Sequence, residues 1–260
     1  MSLPTGFSFD LSGRTVLVTG ASSGIGRRFA HILAGSGANV VLGARRLEML
    51  KQLQLEIQDA GGRALALPLD TSDESSVSAA FEAAEAKFGA VDSVIANAGT
   101  SAPGNPLTMP VDDFDRVIAV NLRGVFLTVR EGARRMIAND AAKRNHGRIV
   151  IISSVTAQRA YSGLAVYAAS KAAISQLGRV LAKDWARNGV NVNIIEPGYM
   201  STELTQALWE NERGRQLLAE FPRARIMNAN ALDVMLLYLS SDASAQVTGS
   251  VFTIDDGQTL

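Results

Sequence analysis

Tyr167 and Lys171 are the residues of this chain whose types and spacing most directly admit chemistry. They stand four apart in Tyr167-Ala168-Ala169-Ser170-Lys171, inside a segment, 162–187, that reads as a long helix. A helix sets residues four apart on one face, one turn from each other. Between positions 164 and 177 the only charged residue is Lys171, and its neighbours Ala168, Ala169, Ala172, Ala173 and Ile174 fit a helix buried on most sides. An ammonium buried without a partner is costly, so a lysine there needs a reason. One reason is chemical: a cation beside a phenol favours the phenolate and lowers a tyrosine pKa from about 10 toward the range of a working proton donor or acceptor. The same spacing also fits a core tyrosine beside an unrelated solvated lysine, and the elements around the pair have to decide.

A second chemical signal lies near the start. Residues 15–19, Thr-Val-Leu-Val-Thr, form a short β-branched run typical of a buried parallel strand. Thr19-Gly20-Ala21-Ser22-Ser23-Gly24-Ile25-Gly26 follows, then a helix pattern with Phe29, Ile32 and Leu33 on one face. Strand, glycine-rich turn and helix make a context for dinucleotide binding. The glycines permit a tight turn and close backbone approach, and the helix N-terminus offers free N–H groups to a pyrophosphate. The next strand, 39–42, leads to Gly43-Ala44-Arg45-Arg46. A site selective for NAD places an acid near the end of this strand; here two arginines stand instead, and a ribose 2′-phosphate is an anion they could meet.

The remaining elements alternate. Residues 64–69 read as a strand ending at Asp70, whose carboxylate could also simply support the turn into the helix that starts near Thr71-Ser72-Asp73-Glu74. A turn and strand over 89–95 lead to Asn97-Ala98-Gly99, and a proline-rich loop over 100–110 precedes a long helix over 111–138. Asn121 inside that helix is either a solvated amide or a buried hydrogen-bonding one. Residues 139–147 read as a polar loop. The strand 148–154 delivers Ser153 and Ser154 at its C-terminal end, the edge of an open parallel sheet where ligands sit. After the Tyr167 helix come a strand over 190–195, the turn Glu196-Pro197-Gly198, and a mixed stretch, 199–225. That stretch carries Met200, Leu204, Leu208, Trp209, Leu217, Leu218 and Phe221 and reads as amphipathic helices that either cover a cleft or pack on the body. With Tyr161 and Leu164 it points to a medium-sized, fairly apolar substrate. A helix over 231–240 and a strand over 250–254 close the series. The expectation is one α/β domain over 1–260, a Rossmann-type doubly wound parallel sheet of about seven strands with helices on both faces.

Composition narrows the function classes. The 260 residues are 47% hydrophobic and 19% charged, with 25 basic and 25 acidic residues and a formal net charge of zero. No basic stripe points to nucleic acid, and no run of eighteen apolar residues points to a membrane span. The first fourteen residues lack a charged-then-apolar signal pattern, so a cytoplasmic location is expected. There is no cysteine, which excludes disulfides and thiol chemistry, and the two histidines, His31 and His146, are far apart in sequence. A metal site is therefore not expected, and each histidine reads as structural or solvated.

With these pieces in order, the chain resembles the short-chain dehydrogenase/reductase family in its compact single-domain branch, from about residue 13 to 257. Thr19 to Gly26 is similar to the family's cofactor turn, Asn97-Ala98-Gly99 to its sheet-stabilising turn, and Tyr167-x-x-x-Lys171 to its catalytic signature. Pro197-Gly198 with Thr202 resembles the segment that binds the nicotinamide carboxamide. The family's serine thirteen residues before the tyrosine selects Ser154 over Ser153. The resemblance implies an NADP-dependent oxidoreductase acting on a carbonyl or secondary alcohol. Tyr167 would be its general acid or base and Lys171 the residue that lowers the tyrosine pKa and holds the nicotinamide ribose. Ser154 would hold the reacting oxygen, and Asn121 would anchor a relay water. For the cofactor, Gly20, Ser22, Ser23, Gly24, Ile25 and Gly26 would line the phosphates, Arg45 with Arg46 would take the 2′-phosphate, and Asp70 would face the adenine. Asn97, Ala98, Gly99, Ile195, Pro197, Gly198 and Thr202 would border ribose and nicotinamide, with Tyr167 and Lys171. NAD is the less expected cofactor, and a homotetramer or dimer the expected assembly. A 3-oxoacyl-thioester (acyl-carrier-protein) reductase shares these motifs, but Lys143 and Arg144 are too few for a carrier-binding patch at the cleft mouth. A nucleotide-binding regulator without turnover is the alternative from another class. Four features depart from the family's usual pattern: Glu196 before Pro-Gly, Asp256 where a second glycine is frequent, Ser23 where a basic residue is usual, and a slightly long connection between Asn121 and Ser154.

Overall fold

The computed structural model describes residues 9–203 and 205–260. Among them, seven short strands form one parallel sheet: β1 (Thr15–Thr19), β2 (Asn39–Ala44), β3 (Arg63–Pro68), β4 (Ser93–Ala96), β5 (Gly147–Ile152), β6 (Val190–Pro197) and β7 (Val251–Ile254). Their order across the sheet is β3-β2-β1-β4-β5-β6-β7. Every residue of β1, β2, β4 and β5 is buried, as strands covered on both faces must be. Because side chains alternate along a strand, the two faces draw on different residues of one run. Val16 and Val18 join Phe29 and Leu33 of α1 (Gly24–Gly35), Leu50 and Leu53 of α2 (Leu47–Asp59), and Leu236 and Leu239, which belong to the helix Asp233–Ser240. Leu17, between them, faces the other way with Phe81 of α3 (Glu74–Phe88) and, further along the chain, Val129 and Ile174. Each such side chain contributes about 1.5–3 kcal/mol when fully buried.

The predicted helix over 111–138 is present with one local difference. α4 (Val111–Ile118) runs into a π-helical segment, Ala119–Gly124, and continues as α5 (Val125–Ala138). A π segment inside an α-helix is a recurrent mark of functional sites. Asn121 sits in it, fully buried. The stretch expected as a loop over 139–147 contains one short helix, α6 (Ala141–Arg144), fixed between Asp140 and Asn145, both with left-handed backbone at φ 58° and 54°. The helix expected over 162–187 is α7 (Ala165–Trp185), extended by a 3-10 turn, Ala186–Asn188. It starts late because Gly163 takes a left-handed φ of 78° and Leu164 is not helical.

The 199–225 stretch holds α8 (Gln206–Trp209) and α9 (Glu212–Glu220), with the Asn211 side chain accepting from the Gly214 N–H at 3.0 Å to cap α9. Leu204 lies outside the described residues. α10 (Asp233–Ser240) and β7 follow. No helix of the described residues is long and apolar enough to cross a membrane.

The chain reverses its direction of travel across the sheet at β1, which lies between β2 and β4. The crevice outside the carboxyl ends of the strands at such a switch point is the ligand site of open α/β sheets.

Candidate active site

The glycine turn is built to bring backbone close to backbone. A Cβ on Gly20, which has φ 67°, would meet Ala98 Cα at 2.9 Å, and a Cβ on Gly26 would meet the Gly20 carbonyl oxygen at 2.3 Å. Side-chain hydrogen bonds from the end of β4 hold the turn. Asn97 Nδ2 donates to the Thr19 carbonyl at 2.9 Å, and the Asn97 and Ala98 N–H groups both donate to Thr19 Oγ1 at 3.0 Å. The Asn97 amide thus supports the turn. Ser23 is the extended residue before α1, and the N-terminus of that helix faces the crevice edge.

At the end of β2, Arg45 is exposed and Arg46 reaches back to the glycine turn, donating to Ser22 Oγ at 3.2 Å and Ser23 Oγ at 2.6 Å. Asp70 accepts from the Ser72 N–H at 2.9 Å and the Ser72 hydroxyl at 2.7 Å. These bonds, led by the hydroxyl, hold its carboxyl below the ordinary range. Asp70 thus shapes its own turn.

The four proposed catalytic residues converge from three elements: the end of β5, the π segment and α7. The Ser154 hydroxyl sits just past β5, accepts from the Thr156 N–H at 3.2 Å, and is hydrogen-bonded to Tyr167. Lys171 is buried, its Nζ donating to the Ile152 carbonyl at 2.9 Å and lying 5.6 Å from the centre of the Tyr167 ring. Asn121 accepts from the Thr100 N–H at 2.8 Å and donates to the Thr100 carbonyl at 2.9 Å and Ser170 Oγ at 3.0 Å. Its amide is thus a buried hydrogen-bonding one, clamping the loop after β4 to α7. A Cβ on Gly99 would lie 3.5 Å from Lys171 Nζ and 3.6 Å from Asn121 Oδ1, so all three meet at one point.

The electrostatics differ from the sequence expectation in one respect. Burial pushes the Tyr167 phenol up from its ordinary value, opposed by the Ser154 hydrogen bond, and burial pulls the Lys171 ammonium down to about 8. In the protein alone burial sets the direction for the phenol, with the Ser154 hydrogen bond opposing it.

Ile195 is fully buried and its carbonyl accepts from the Ser153 N–H at 2.8 Å, which commits it to the sheet. Pro197 ends β6, and Gly198 leaves no room for a side chain: a Cβ would meet Gln258 Oε1 at 2.5 Å and Asp255 Cα at 2.7 Å. Gln258 accepts from the Tyr199 N–H at 2.6 Å and donates to its carbonyl at 3.2 Å. Asp256 adopts φ 53°, the left-handed backbone a glycine takes freely, and is held there by Arg223 at 3.0 Å and Arg225 at 2.6 Å. Thr202 lies against Gly24, where a Cβ would come within 3.6 Å of it.

The structural roles of two features escaped the sequence reading. Glu196 is buried beneath the site: Ser175 Oγ lies 2.7 Å from Glu196 Oε1 and 2.8 Å from Ser153 Oγ. The Ser153 hydroxyl donates to the Lys171 carbonyl at 2.9 Å, and Gln158 Nε2 donates to the other Glu196 oxygen. The signal was a carboxylate inside a buried strand run, which demands hydrogen-bond partners. The other is a cluster of aromatic rings, in which Tyr199 packs edge-on against Tyr161 at 5.3 Å and Trp209 at 5.6 Å, with Phe221 at 5.8 Å. In it the Tyr161 hydroxyl and Trp209 Nε1 are buried without a hydrogen-bond partner among the described residues. Elsewhere, His31 lies 3.4 Å from Glu56, and burial pulls His146 down.

The chain is similar to known proteins over most of its length. The family model for short chain dehydrogenases matches residues 14–213. The chain is 34% identical over 248 residues to the 3-oxoacyl-(acyl-carrier-protein) reductase FabG of Escherichia coli (strain K12), covering 95% of this chain and 98% of that protein. It is 36% identical over 253 residues to the gluconate 5-dehydrogenase of Gluconobacter oxydans (strain 621H), covering 97% of each. Among solved structures, a gluconate 5-dehydrogenase from Burkholderia cenocepacia J2315 in complex with NADP and tartrate superposes with a TM-score of 0.90 at 35% identity, covering 97% of each chain. The chain belongs to the short-chain dehydrogenase/reductase family and is an NAD(P)(H)-dependent oxidoreductase of carbonyl and alcohol groups.

Proposed function

We propose that this enzyme interconverts a ketone and a secondary alcohol on a small molecule, using NADP(H). The observation that carries the reading is the convergence of Ser154, Tyr167, Lys171 and Asn121 beside the glycine turn. The residues present fit the nucleotide: Gly20 and Gly26 let the turn close tightly ahead of α1, whose first N–H groups take no side-chain cap from Ser23, and Arg45 and Arg46 stand at the end of β2 where no acid selects NAD. When bound, the cofactor supplies or accepts the hydride. Tyr167 gives a proton to the carbonyl oxygen in reduction and takes it back in oxidation. Ser154, already hydrogen-bonded to the tyrosine, holds that oxygen as charge develops on it. Lys171 carries its positive charge at neutral pH, since its pKa of about 8 lies above 7, and offers that charge and its N–H groups to the phenol and the ribose hydroxyls. Asn121 fixes the distance between the loop after β4 and α7.

For the cofactor, structures of similar chains support NADP: the Burkholderia cenocepacia gluconate 5-dehydrogenase is in complex with it. For the substrate, relatives named for gluconate, threitol and cis-4-hydroxycyclohexanecarboxylate support a small alcohol carrying further oxygens. The Tyr161 hydroxyl and Trp209 N–H, buried without partners in the aromatic cluster, would serve such oxygens once the 199–225 segment shifts to admit them, which qualifies the apolar substrate expected from the sequence. The 199–225 segment covers the substrate in this reading. A carrier-bound thioester is disfavoured because Lys143 and Arg144 belong to α6, where Arg144 pairs with Asp92 just ahead of β4, at the edge of the sheet opposite the site.

The test is oxidation and reduction of NADP(H) and NAD(H), side by side, over sugar acids, polyols, cyclic hydroxy acids and 3-oxoacyl thioesters. Turnover of one of the first three classes with NADP(H) is expected; preference for the thioester or for NAD(H) overturns the corresponding part. Tyr167→Phe is expected to lower kcat/KM by about 10²–10⁴-fold with cofactor affinity kept. Undiminished turnover in that variant removes Tyr167 from the chemistry.

A further inference from the structure

The Arg46 guanidinium meets Glu203 fork to fork. Its Nη1 donates to Glu203 Oε1 at 2.9 Å and its Nη2 to Oε2 at 3.0 Å. The same guanidinium holds Ser22 and Ser23 of the glycine turn, and Ser23 is itself hydrogen-bonded to Glu203. Glu203 stands at the start of the 199–225 segment, directly after Thr202, whose side chain rests on Gly24. The opening of the covering segment is thereby pinned to the nucleotide turn through one ion pair.

Two parallel N–H donors and a hydroxyl around one anion is the arrangement a guanidinium uses for carboxylates and phosphates alike. At the end of β2, beside a glycine turn and without an acid for the ribose hydroxyls, the anion such an arginine serves is a ribose 2′-phosphate. In this structure the anion in the fork is a carboxylate of the chain itself.

We propose that Glu203 is a resident stand-in for the 2′-phosphate of NADP(H), so that NADP(H) takes Arg46 from Glu203 and unpins the 199–225 segment, while NAD(H) leaves the pin in place. This rests on the NADP reading above and adds a residue that sets discrimination between the two nucleotides. Both partners are largely exposed, 45% for Arg46 and 60% for Glu203, so the pair is weak enough to exchange. A phosphate monoester carries more charge and one more acceptor oxygen than a carboxylate, so it wins the fork. The Arg46 hydrogen bond, with that of Ser23, pulls the Glu203 carboxyl down to about 2, which keeps the competitor charged at every pH near neutrality.

Calorimetric titration of the full chain with NADP⁺ and with NAD⁺ tests this, on the wild type, Glu203→Gln, Arg46→Ala and the double variant. Glu203→Gln keeps the shape of an exposed side chain and removes only its charge. It is expected to tighten NADP⁺ about threefold to fivefold, the scale of one exposed ion pair, and to leave NAD⁺ unchanged. In the Arg46→Ala background the gain should vanish. An unchanged ratio of the two affinities, an equal gain for both nucleotides, or a gain that survives without Arg46 overturns the proposal. The cofactor reading fails separately. If the wild type prefers NAD⁺ and Glu203→Gln still shifts the ratio toward NADP⁺, the stand-in holds and the preference does not. If NADP⁺ is preferred and the ratio stays fixed in Glu203→Gln, the reverse is true. Binding of neither nucleotide to any variant sinks both.

Discussion

Lys171 is a cation in the interior whose ammonium donates to the carbonyl of Ile152. Its folded pKa of about 8 lies below the ordinary 10.5, because burial disfavours the charged form. Below pH 8 folded and unfolded chains both carry the proton, and the full burial cost, on the order of 3 kcal/mol, opposes folding. Between 8 and 10.5 the unfolded chain holds more protons, so this residue's contribution to stability rises with pH. Thermal melts of wild type and Lys171→Met from pH 7 to 10 check the sign: the difference in Tm should move in favour of the wild type above pH 8. At this scale the sequence was informative where chemistry needs a fixed spacing along one element. Tyr167 and Lys171 share a helix, and the glycines share a turn. It was silent on Arg46 with Glu203, 157 residues apart, and on the partners of Asn121, because those pairings exist only once the sheet is assembled.

Among elements, the first helix shows how unequal two glycines can be. Gly26 faces the Gly20 carbonyl with no space for a methyl, whereas Gly35, at the last turn of α1, has nothing within 4 Å of its Cβ position. Gly35→Ala should raise stability by about 0.5–1 kcal/mol in denaturant titrations. Gly26→Ala should abolish nucleotide binding, because either the turn or the helix start must move. The junction of β5, β6 and α7 carries a subtler dependence. Three oxygen–oxygen links, from Glu196 through Ser175 and Ser153 to the Lys171 carbonyl, share only two hydroxyl hydrogens. Glutamine at 196 brings an amide hydrogen to the third link and still accepts from Gln158. Glu196→Gln is therefore expected to keep Tm and kcat. Glu196→Ala leaves Ser175 without its carboxylate in a buried site and should cost about 1–3 kcal/mol, with a lower kcat from the loosened Lys171 turn. Strand and helix identity were legible from period and punctuation. The π segment at Asn121 and the 3-10 turns were not, since a one-residue change in a helical turn leaves the apolar pattern nearly intact.

For the whole molecule, the outward faces of α4, α5 and α7 expose Val111, Phe114, Phe126 and Val180. Scattered exposed apolar residues are ordinary, and Met49 and Leu55 of α2 and Val234 of α10 are exposed too, but these four lie on helices that pack on one side of the sheet. The expected outcome by light scattering is a homo-oligomer, and Val180→Asp should shift it toward smaller species; a monomeric wild type refutes this. The sheet order itself was readable in kind, as a doubly wound parallel sheet. Its exact neighbours were not, because periodicity marks which residues are buried and says nothing of which strands touch.

The attachment of the tail to the turn after β6 has a consequence for how the protein is made. Gln258 holds both backbone groups of Tyr199, and Gly198 packs against Asp255. During synthesis the chain emerges from its amino end, and the strands β1 to β4 with their glycine turn come out long before residues 255–258. A nascent chain can therefore display an ordered half of the nucleotide crevice while the other wall is still unsupported. Because that wall rests on residues 255–258, a chain that has not yet delivered them offers a nucleotide the glycine turn alone, and the stabilisation a ligand brings is expected only once they are in place.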